Sequence, residues 1–249
     1  MKIVGIIPSR YASSRFPGKP LADMLGQTMI ERVYHQVKKS KHLQRVVVAT
    51  DDQRIYDHVL AFGGEACMTA HHHPSGTDRC FEALQRQKEK FDFTLNIQGD
   101  EPFIDPRQID LLCSSLTPQT ELATLIQKIS TLEQLLSVGE AKVVINKNQE
   151  AIYFSRSPIP FVQKTEQKKW LTATVFYRHV GLYAYRTDVL EKITKLSPSV
   201  LENAESLEQL RWIENGFKIK TVETEMEESI CIDTPEDLQK AIAILKKQV

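Results

Sequence analysis

Runs of β-branched, apolar residues alternate with amphipathic segments from the start of the chain, and this alternation limits the possible folds more than any other feature. The run from Ile3 to Ile7 is continuously apolar and is followed by Pro8, which is typical of a strand buried on both faces. Residues 29–37 then place apolar side chains at helical spacing, and residues 45–49 form a second strand-like run. The alternation predicts an α/β fold with a mostly parallel central sheet flanked by helices.

The other elements follow from the same rules. Capping-box spacing places Thr50 and Gln53 at the start of a helix that ends at Gly63-Gly64. Further strands are predicted at 93–98, 142–145, 151–154 and 180–185, and further helices at 201–215 and 235–247. The polar, proline-containing stretch between them, 157–169, indicates a loop. We therefore predict one α/β domain over residues 1–249, with an irregular insertion over about 127–171.

Composition excludes several classes of protein. The chain has 32 Lys and Arg residues and 32 Asp and Glu residues, so its net charge at pH 7 is zero and nucleic acid is not a predicted partner. No apolar run reaches the roughly 18 residues that a membrane helix needs, so membrane insertion is not predicted either. The four cysteines form no CxxC pair, which favours reduced thiols in a reducing compartment.

The loop after the first strand concentrates positive charge. Arg10, Arg15 and Lys19 lie within ten residues, among small residues and next to Gly18. Ligands of open α/β sheets bind at the carboxyl ends of strands, and small residues let backbone N–H groups approach an anion closely. The loop therefore predicts a polyphosphate site, although a solvated basic loop is an equally open interpretation. Its spacing is neither a Walker A loop nor GxGxxG, so it names no nucleotide.

Two aspartates are candidates for binding a hard cation at the same edge. Asp100 follows a predicted strand and the turn residue Gly99, where its carboxylate could bridge a cation to phosphate oxygens. Asp233 also follows a short apolar, strand-like run, in the sequence Asp-Thr-Pro. Structural roles remain open for both, because aspartates are common in turns and Asp-Thr-Pro is a usual helix opening, with Asp or Thr as the cap.

Together and in order, these segments resemble one family over nearly the whole chain. The matching segments are IIPSRYASSRFPGKPL, VATDD, SGTDR, NIQGDEP, HVGLYAYR, ESLEQLRWIENG and IDTPEDL. They are similar to those of the 3-deoxy-manno-octulosonate cytidylyltransferases, also called CMP-Kdo synthetases. The resemblance implies a Rossmann-like fold of the nucleotide-diphospho-sugar transferase type. It also implies transfer of CMP from CTP to 3-deoxy-D-manno-octulosonate (Kdo), with release of pyrophosphate, for lipopolysaccharide biosynthesis.

The resemblance further implies roles for individual residues. The positions expected around CTP are Arg10, Ser13, Lys19, Ser75, Gly76, Thr77, Arg79 and Gln98. The positions expected to act in catalysis are Lys19, Arg10, Arg15, Asp100 and Asp233. Asp100 and Asp233 match the family's metal ligands, so Mg²⁺ is the expected cofactor.

A separate group of residues is expected to bind the sugar acid. The positions that the resemblance implies are Arg156, His179, Tyr183, Glu208 and Gln209, with the Arg156 guanidinium as the partner of the Kdo carboxylate. His179 and Tyr183 also stand at alternating positions of a predicted strand, so they face one side, and Gly181 between them leaves space. A core His and Tyr would give the same pattern, and Glu208 would by default be a solvated charge.

The nearest alternative is a cytidylyltransferase for another acidic sugar, such as sialic acid or 8-amino-Kdo. The first loop disfavours a sialate enzyme, because loops of that family are richer in glycine. A nucleotide-binding protein of the same fold that has lost turnover is the alternative from another class. The resemblance also implies a cytoplasmic homodimer, for which the irregular insertion is the candidate interface.

Overall fold

The computed structural model describes residues 1–12, 15–226 and 230–248. Its strands, in chain order, are β1 (Ile3–Ser9), β2 (Arg45–Thr50), β3 (Ala66–Met68), β4 (Phe93–Asn96), β5 (Leu122–Lys128), β6 (Lys142–Ile145), β7 (Ala151–Ser155), β8 (Tyr177–Arg186) and β9 (Ile219–Glu223). Its α-helices are α1 (Met29–Val37), α2 (Gln53–Ala61), α3 (Gly76–Gln85), α4 (Pro106–Ser114), α5 (Leu132–Leu136), α6 (Trp170–Ala173), α7 (Thr187–Ile193), α8 (Val200–Glu205), α9 (Gln209–Glu214) and α10 (Pro235–Gln248). The α/β fold class is confirmed.

The chain divides into two compact units, of which the first comprises Met1–Ser114 and Met226–Val249. Its strands lie in the order β3-β2-β1-β4, and every pairing among them is parallel. Ser9 at the end of β1 is in register with Thr50 at the end of β2. The loops that follow these strands therefore leave the same edge of the sheet, as the sequence predicts for a ligand-binding edge.

Side-chain alternation explains how this unit packs. Val4 and Ile6 of β1 point to one face, where they meet Cys80 and Ala83 of α3 in a cluster of buried residues. Gly5 points the other way, and a β-carbon built there would lie 2.8 Å from the side chain of Leu43. Both faces of β1 are thus covered, which accounts for its uninterrupted apolar sequence.

The second unit, Ser115–Glu225, has mixed strand directions. Strand β5 lies between β8, to which it is antiparallel, and β9, to which it is parallel. Strands β6 and β7 form an antiparallel pair, and β6 also pairs with β8. The register of β5 and β8 shifts between Thr124 and Leu125, where two residues of β8 are left over. This bulge locally redirects the side chains of β8.

Several predicted boundaries are wrong. The predicted helix 201–215 is two helices, because Ser206 at the end of α8 adopts a left-handed conformation with φ of 53°. Helix α2 is capped by Asp52 rather than Thr50, since the Asp52 carboxylate accepts from the Arg54 N–H. The strand predicted at 93–98 ends at Asn96, and the residues before Asp233 form an extended loop rather than a strand.

The sequence prediction does not include strands β3, β5 and β9. The region 127–171 contains short elements joined by irregular segments. The prediction that it is an insertion stays a prediction. The prediction of a single folding domain stays a prediction. Within the described residues, none of the helices combines the length and the apolar character needed to span a bilayer.

Candidate active site

A polar cavity of about 320 Å³ opens in the first unit, where the chain leaves β1 and β4. Most of its lining residues are charged, small or proline; they are Pro8, Ser9, Arg10, Arg15, Lys19, Pro20, His73, Pro74, Ser75, Gly76, Arg79, Gln98, Gly99, Asp100 and Asp233. Four of these side chains are cationic and two are anionic. An excess of fixed positive charge in a concave surface suits a polyphosphate ligand.

The Lys19 ammonium is the central contact of this cavity. Its Nζ donates to a carboxylate oxygen of Asp100 at 2.7 Å and to one of Asp233 at 3.2 Å. It also donates to the carbonyl oxygen of Ile232 at 3.0 Å. Burial alone would lower the pKa of Lys19, but the charges of Asp100 and then Asp233 outweigh it and raise that pKa. Lys19 is therefore a fixed positive charge between two carboxylates.

The backbone explains why two aspartates so far apart in sequence meet here. A β-carbon at Gly99 would lie 2.9 Å from the carbonyl oxygen of Pro8, so only glycine lets Asp100 approach the end of β1 this closely. The N–H of Ile232 then donates to the carbonyl oxygen of Asp100 at 2.9 Å and holds the distant segment in place. The prediction that both aspartates stand at one edge agrees with this arrangement.

The N-terminus of α10, which follows Asp233, is capped without the Asp233 carboxylate. The Thr234 hydroxyl accepts from the Asp237 N–H at 3.2 Å, and the Asp237 carboxylate accepts from the Thr234 N–H at 3.1 Å. These two contacts form the reciprocal cap that helix starts require. Asp233 is thereby left to bind Lys19 and Arg15, the latter at 3.1 Å, and is not the helix cap.

The donor set around Lys19 fits a divalent cation. One oxygen each of Asp100 and Asp233 and the sulfur of Cys231 all lie within 4.8 Å of one another. Mg²⁺ takes oxygen ligands, so the two carboxylates fit this ion and the thiol does not. Glu101 is an additional carboxyl at this point, and burial together with the neighbouring Asp100 charge raises its pKa to about 8.

The positions predicted to surround CTP are largely gathered in the cavity. Those that line it are Arg10, Lys19, Ser75, Gly76, Arg79 and Gln98. Thr77 is buried and does not line the cavity, and Ser13 lies outside the described residues. Ser75 caps α3, since its hydroxyl accepts from the Asp78 N–H, so the start of this helix faces the cavity.

The predicted residue Arg79 and the backbone of the first loop are each fixed by partners within the protein. The buried Arg79 guanidinium donates to the Thr69 hydroxyl at 2.6 Å and to the Asp51 carboxylate at 3.1 Å. The first loop is held by Tyr11, whose ring lies 3.4 Å from the guanidinium carbon of Arg54. Gly18 lies against the hydroxyl end of the Tyr11 side chain and has φ of 74°. The basic residues of the loop are thus displayed by an anchored backbone.

Among the lining residues with polar side chains, Ser9 and His73 are absent from the predicted set. The Ser9 hydroxyl is buried and has no hydrogen-bond partner among the described residues, which is typical of a group that binds a ligand. The His73 ring contacts the carboxylate of Glu82, which also accepts from the Ala70 N–H at 2.8 Å. A small polar residue at the end of a buried strand was the available signal for Ser9, whereas the His73 contact depends on tertiary folding.

The second unit places His179 and Tyr183 in ring contact, with centroids 5.1 Å apart. The His179 Nε2 lies 2.9 Å from the Thr124 hydroxyl, which donates to the Leu182 carbonyl and so accepts from the ring. Burial lowers the pKa of His179 to about 4, so the ring is neutral near pH 7. The Tyr183 hydroxyl is buried without a hydrogen-bond partner among the described residues.

The remaining predicted sugar-binding residues belong to α9 and to the end of β7. The negative charge of Glu208 acts on Tyr183, and Gln209 is buried at the first position of α9. Arg156 instead donates to the carbonyl oxygens of Glu205, Val138 and Ser206, at 2.7, 3.0 and 3.3 Å respectively. It makes no hydrogen bond to His179 or Tyr183 among the described residues.

Comparisons with known proteins agree over nearly the whole chain. A family model described as "Cytidylyltransferase" matches residues 4–222. The 3-deoxy-manno-octulosonate cytidylyltransferase of Cytophaga hutchinsonii is 56% identical over 239 residues, which cover 96% of this chain and 95% of that protein. The enzyme of the same name from Parabacteroides distasonis is 55% identical, with 98% of each chain covered. The similarity therefore extends well beyond the short motifs.

One solved structure is similar in both sequence and fold. It is that of a CMP:2-keto-3-deoxy-manno-octonic acid synthetase complexed with CTP, which is 42% identical to this chain. The two match with a TM-score of 0.91, and all of each chain is covered.

Proposed function

The chain belongs to the cytidylyltransferase family, and on that premise we propose that it transfers CMP from CTP to the anomeric hydroxyl of Kdo. The anomeric oxygen attacks the α-phosphorus of CTP in line, and a new oxygen–phosphorus bond forms. The bond to the β-phosphate breaks, pyrophosphate leaves with the electron pair, and the hydroxyl proton passes to solvent. The observation that carries the proposal is the cationic cavity in which Lys19 binds both Asp100 and Asp233.

The cations of the cavity supply what this reaction needs most. A triphosphate repels an incoming nucleophile and becomes more negative at its leaving group, so catalysis consists mainly of positioning and charge neutralisation. Arg10, Arg15 and Lys19 would bind the phosphates and stabilise the departing pyrophosphate. Lys19 is held by carboxylates on one side, so its position does not depend on the nucleotide.

The two carboxylates are the proposed ligands of Mg²⁺. Asp100 and Asp233 converge on one point and offer oxygen atoms, as a hard cation requires. When bound there, Mg²⁺ would neutralise phosphate charge and make the attacking hydroxyl more acidic. Asp100 and Asp233 also hold Lys19 and Arg15 by ion pairs, so these carboxylates orient the cations that contact phosphate.

The proposed Kdo-binding residues are Arg156, His179, Tyr183, Glu208 and Gln209. Nη1 and Nη2 of Arg156 each keep one N–H after donating to a carbonyl oxygen, and together these two donors can bind both oxygens of a carboxylate. The unpartnered Tyr183 hydroxyl can exchange a hydrogen bond with a sugar hydroxyl. The neutral His179 ring fixes the aromatic face beside it.

We further propose that the enzyme is a cytoplasmic homodimer with an interface in the irregular insertion. The proposed use of CTP as the substrate supports the cytoplasmic location. Val138 and Phe161 of the insertion are 72% and 75% exposed, which is unusual for large apolar side chains and supports an interface there. Light scattering after size-exclusion chromatography should give twice the chain mass, and Phe161→Asp should shift the mass toward the monomer.

The experiment that tests the function is pyrophosphate release from CTP in the presence of Mg²⁺ and Kdo. We expect release that requires all three components and formation of CMP-Kdo in equal amount. Sialic acid and 8-amino-Kdo, assayed at the same concentrations, should give kcat/KM values at least tenfold lower than Kdo. CTP binding without pyrophosphate release would indicate a nucleotide-binding protein and overturn the proposal.

A further inference from the structure

One side chain in the carboxylate cluster has no use in a magnesium site. Cys231 places its sulfur within 4.8 Å of carboxylate oxygens of both Asp100 and Asp233. Thiolates bind Zn²⁺ and similar soft or borderline cations, whereas Mg²⁺ takes oxygen ligands almost exclusively. We propose that Asp100, Cys231 and Asp233 form a Zn²⁺ site, and that Zn²⁺ bound there inhibits the enzyme. The inhibition rests on the proposed function, whereas the binding does not.

The ligand set matches the requirements of Zn²⁺. Zn²⁺ is commonly held by three protein ligands with a fourth position open to water, and both sulfur and carboxylate oxygen serve as ligands. Cys231 is exposed, so the ion can reach the sulfur from solvent. The next residue, Ile232, is tied by its N–H to the Asp100 carbonyl, and this contact keeps the three ligands together before an ion arrives.

A fourth acidic group lies beside the three ligands. The Glu101 carboxyl is largely buried and makes no hydrogen bond to the described residues. The charge of Asp100 acts on Glu101, and Glu101 in turn acts on Cys231, so the Glu101 carboxyl lies near the proposed site.

Binding exchanges one cation for another at the two aspartates. A zinc–sulfur bond forms, the thiol proton of Cys231 is released to solvent, and the carboxylates of Asp100 and Asp233 leave the Lys19 ammonium. The two ion pairs of Lys19 are 2.7 and 3.2 Å long in the structure. Zn²⁺ occupies the carboxylates that Mg²⁺ needs, and the Cys231 sulfur gives it a ligand that Mg²⁺ does not take, so Mg²⁺ is excluded.

Direct metal binding tests the site without relying on activity. Co²⁺ added to the purified chain should give a near-ultraviolet absorption band from charge transfer between thiolate and metal, and Zn²⁺ should abolish the band. Loss of outer-shell partners alone weakens metal binding by about 10- to 100-fold, so Cys231→Ser should weaken Zn²⁺ binding by about 100-fold or more. Competition with a chromophoric chelator measures that affinity.

Cys67→Ser is the matched control, because Cys67 is partly buried on β3 and lies outside the carboxylate cluster. It should keep both the parent Co²⁺ band and the parent Zn²⁺ affinity. Zn²⁺ should slow Mg²⁺-dependent turnover of the parent and of Cys67→Ser at concentrations about 100-fold lower than those needed for Cys231→Ser, each relative to its own uninhibited rate.

The outcomes separate this inference from the proposed function. A parent protein without the Co²⁺ band, or a Cys231→Ser variant with the parent Zn²⁺ affinity, would overturn the zinc site. Equal Zn²⁺ sensitivity of Cys231→Ser and parent turnover would overturn the inhibition. A parent that shows the band but releases no pyrophosphate with Mg²⁺ would leave the zinc site standing and refute the cytidylyltransferase reaction.

Discussion

The two groups of proposed substrate-binding residues are built on opposite physical principles. The cavity of the first unit consists of partly exposed charges paired with one another; the Lys19 and Asp100 side chains, for example, are 15% and 21% exposed. The cluster around His179 and Tyr183 in the second unit is largely buried, aromatic and uncharged. Arg156 stands between these cases, because it is charged but its guanidinium is held by backbone carbonyls.

This difference bears on the proposed division of substrate binding between the two groups of residues. Charge pairs that remain partly hydrated can rearrange when a polyphosphate or a divalent cation arrives, because each ion pair contributes little on its own. A buried neutral cluster cannot rearrange so easily, since removing any ring leaves a cavity or an unpaired polar atom. The charged cluster of the first unit is therefore suited to polyphosphate and metal, and the neutral cluster around His179 and Tyr183 to the shape of the hydroxyl-bearing part of a sugar.

The largest expected effect comes from removing one charge of the first cluster. Asp100→Asn keeps the size of the side chain and most of its hydrogen bonding, but it removes the charge that holds Lys19 and, as proposed, Mg²⁺. We expect turnover with CTP, Mg²⁺ and Kdo to fall by on the order of 10²-fold or more. Steady-state pyrophosphate release measures this change, and the circular dichroism spectrum should match the parent.

Asp105→Asn controls for the loss of a carboxylate as such. Asp105 lies five residues further along and pairs with Arg107, which is 75% exposed, outside the cavity. Its turnover should stay within about twofold of the parent, because exposed pairs contribute little. A folded Asp100→Asn protein with parent activity would remove Asp100 from the reaction.

The first cluster could be predicted from the sequence because each of its charged residues lies close in sequence to a recognisable strand or helix. Buried strands are continuously apolar, and charged loops directly follow them, so Lys19 and Asp100 could be assigned to one edge of a parallel sheet. For Asp233, a role as the helix cap remained open beside the metal-binding role, because the choice between Asp233 and Thr234 as the cap depends on side-chain geometry. The structure gives that role to Thr234, and only then is Asp233 available to Lys19.

The second unit was harder to predict from sequence. Strand β5 is largely buried and apolar, but it pairs with β8 and β9, which follow much later in the chain, and such pairing leaves no local signal. The bulge in β8 also breaks the simple alternation on which His179 and Tyr183 were assigned to one face. The two rings are in contact in the structure, but strand periodicity alone was not sufficient to predict that contact.

The next largest effect concerns the charged residue of the second unit. Arg156→Lys retains the charge but loses the planar fork, so a two-point contact to the Kdo carboxylate becomes a single one. Losing one charge-assisted hydrogen bond costs about 1.5–3 kcal/mol, which corresponds to a loss of roughly 10- to 150-fold in kcat/KM for Kdo. CTP affinity measured by calorimetry without Kdo should stay within about twofold of the parent.

A matched control for this substitution is Arg186→Lys in the same unit. Arg186 also donates to a carbonyl oxygen, that of Pro118 at 3.2 Å, and pairs with Asp188 on the surface. Its kcat/KM for Kdo should remain at the parent value. If Arg156→Lys weakened CTP binding and Kdo turnover equally, Arg156 would belong to the fold or to the phosphate site, and the division between the two units would fail.

A smaller effect is expected from changing the backbone that displays the cations. Gly18 has φ of 74°, and a β-carbon there would lie 2.9 Å from the Tyr11 ring. The added methyl group would overpack the loop against Tyr11 at a cost of about 1–2 kcal/mol, so Gly18→Ala should lower CTP affinity by about 5- to 30-fold as the loop shifts. Calorimetric titration with CTP measures the change.

Gly26→Ala separates crowding from backbone strain. Gly26 has φ of 83°, but a β-carbon there would meet nothing within 4 Å. Its substitution should lower thermal stability by an amount similar to Gly18→Ala while leaving CTP affinity unchanged. Equal CTP affinities for the two variants would show that the anchoring of the first loop by Tyr11 is not needed for nucleotide binding.

The smallest effect on catalysis is expected from the protonation of His179. Burial lowers the pKa of His179 to about 4, so the ring stays neutral from pH 5.5 to 8. The ratio of kcat/KM for Kdo between the parent and His179→Asn should therefore vary by less than about twofold across this range. Measuring the ratio, rather than the parent alone, removes the contributions of other titrating groups such as Glu101.

The same pKa has a defined consequence for stability. Between about pH 6.5, the ordinary value for histidine, and about pH 4, the unfolded chain binds a proton at residue 179 that the folded chain does not. The free energy of unfolding must then decrease as the pH falls through this window, by at most about 1.4 kcal/mol per pH unit from this residue. Denaturant titrations of the parent and His179→Asn should show the steeper decrease in the parent. A parallel pH dependence in the two proteins, together with a rate ratio that changes near pH 6.5, would mean that His179 is solvated and charged, and the contrast between a charged first cluster and a neutral second one would not hold.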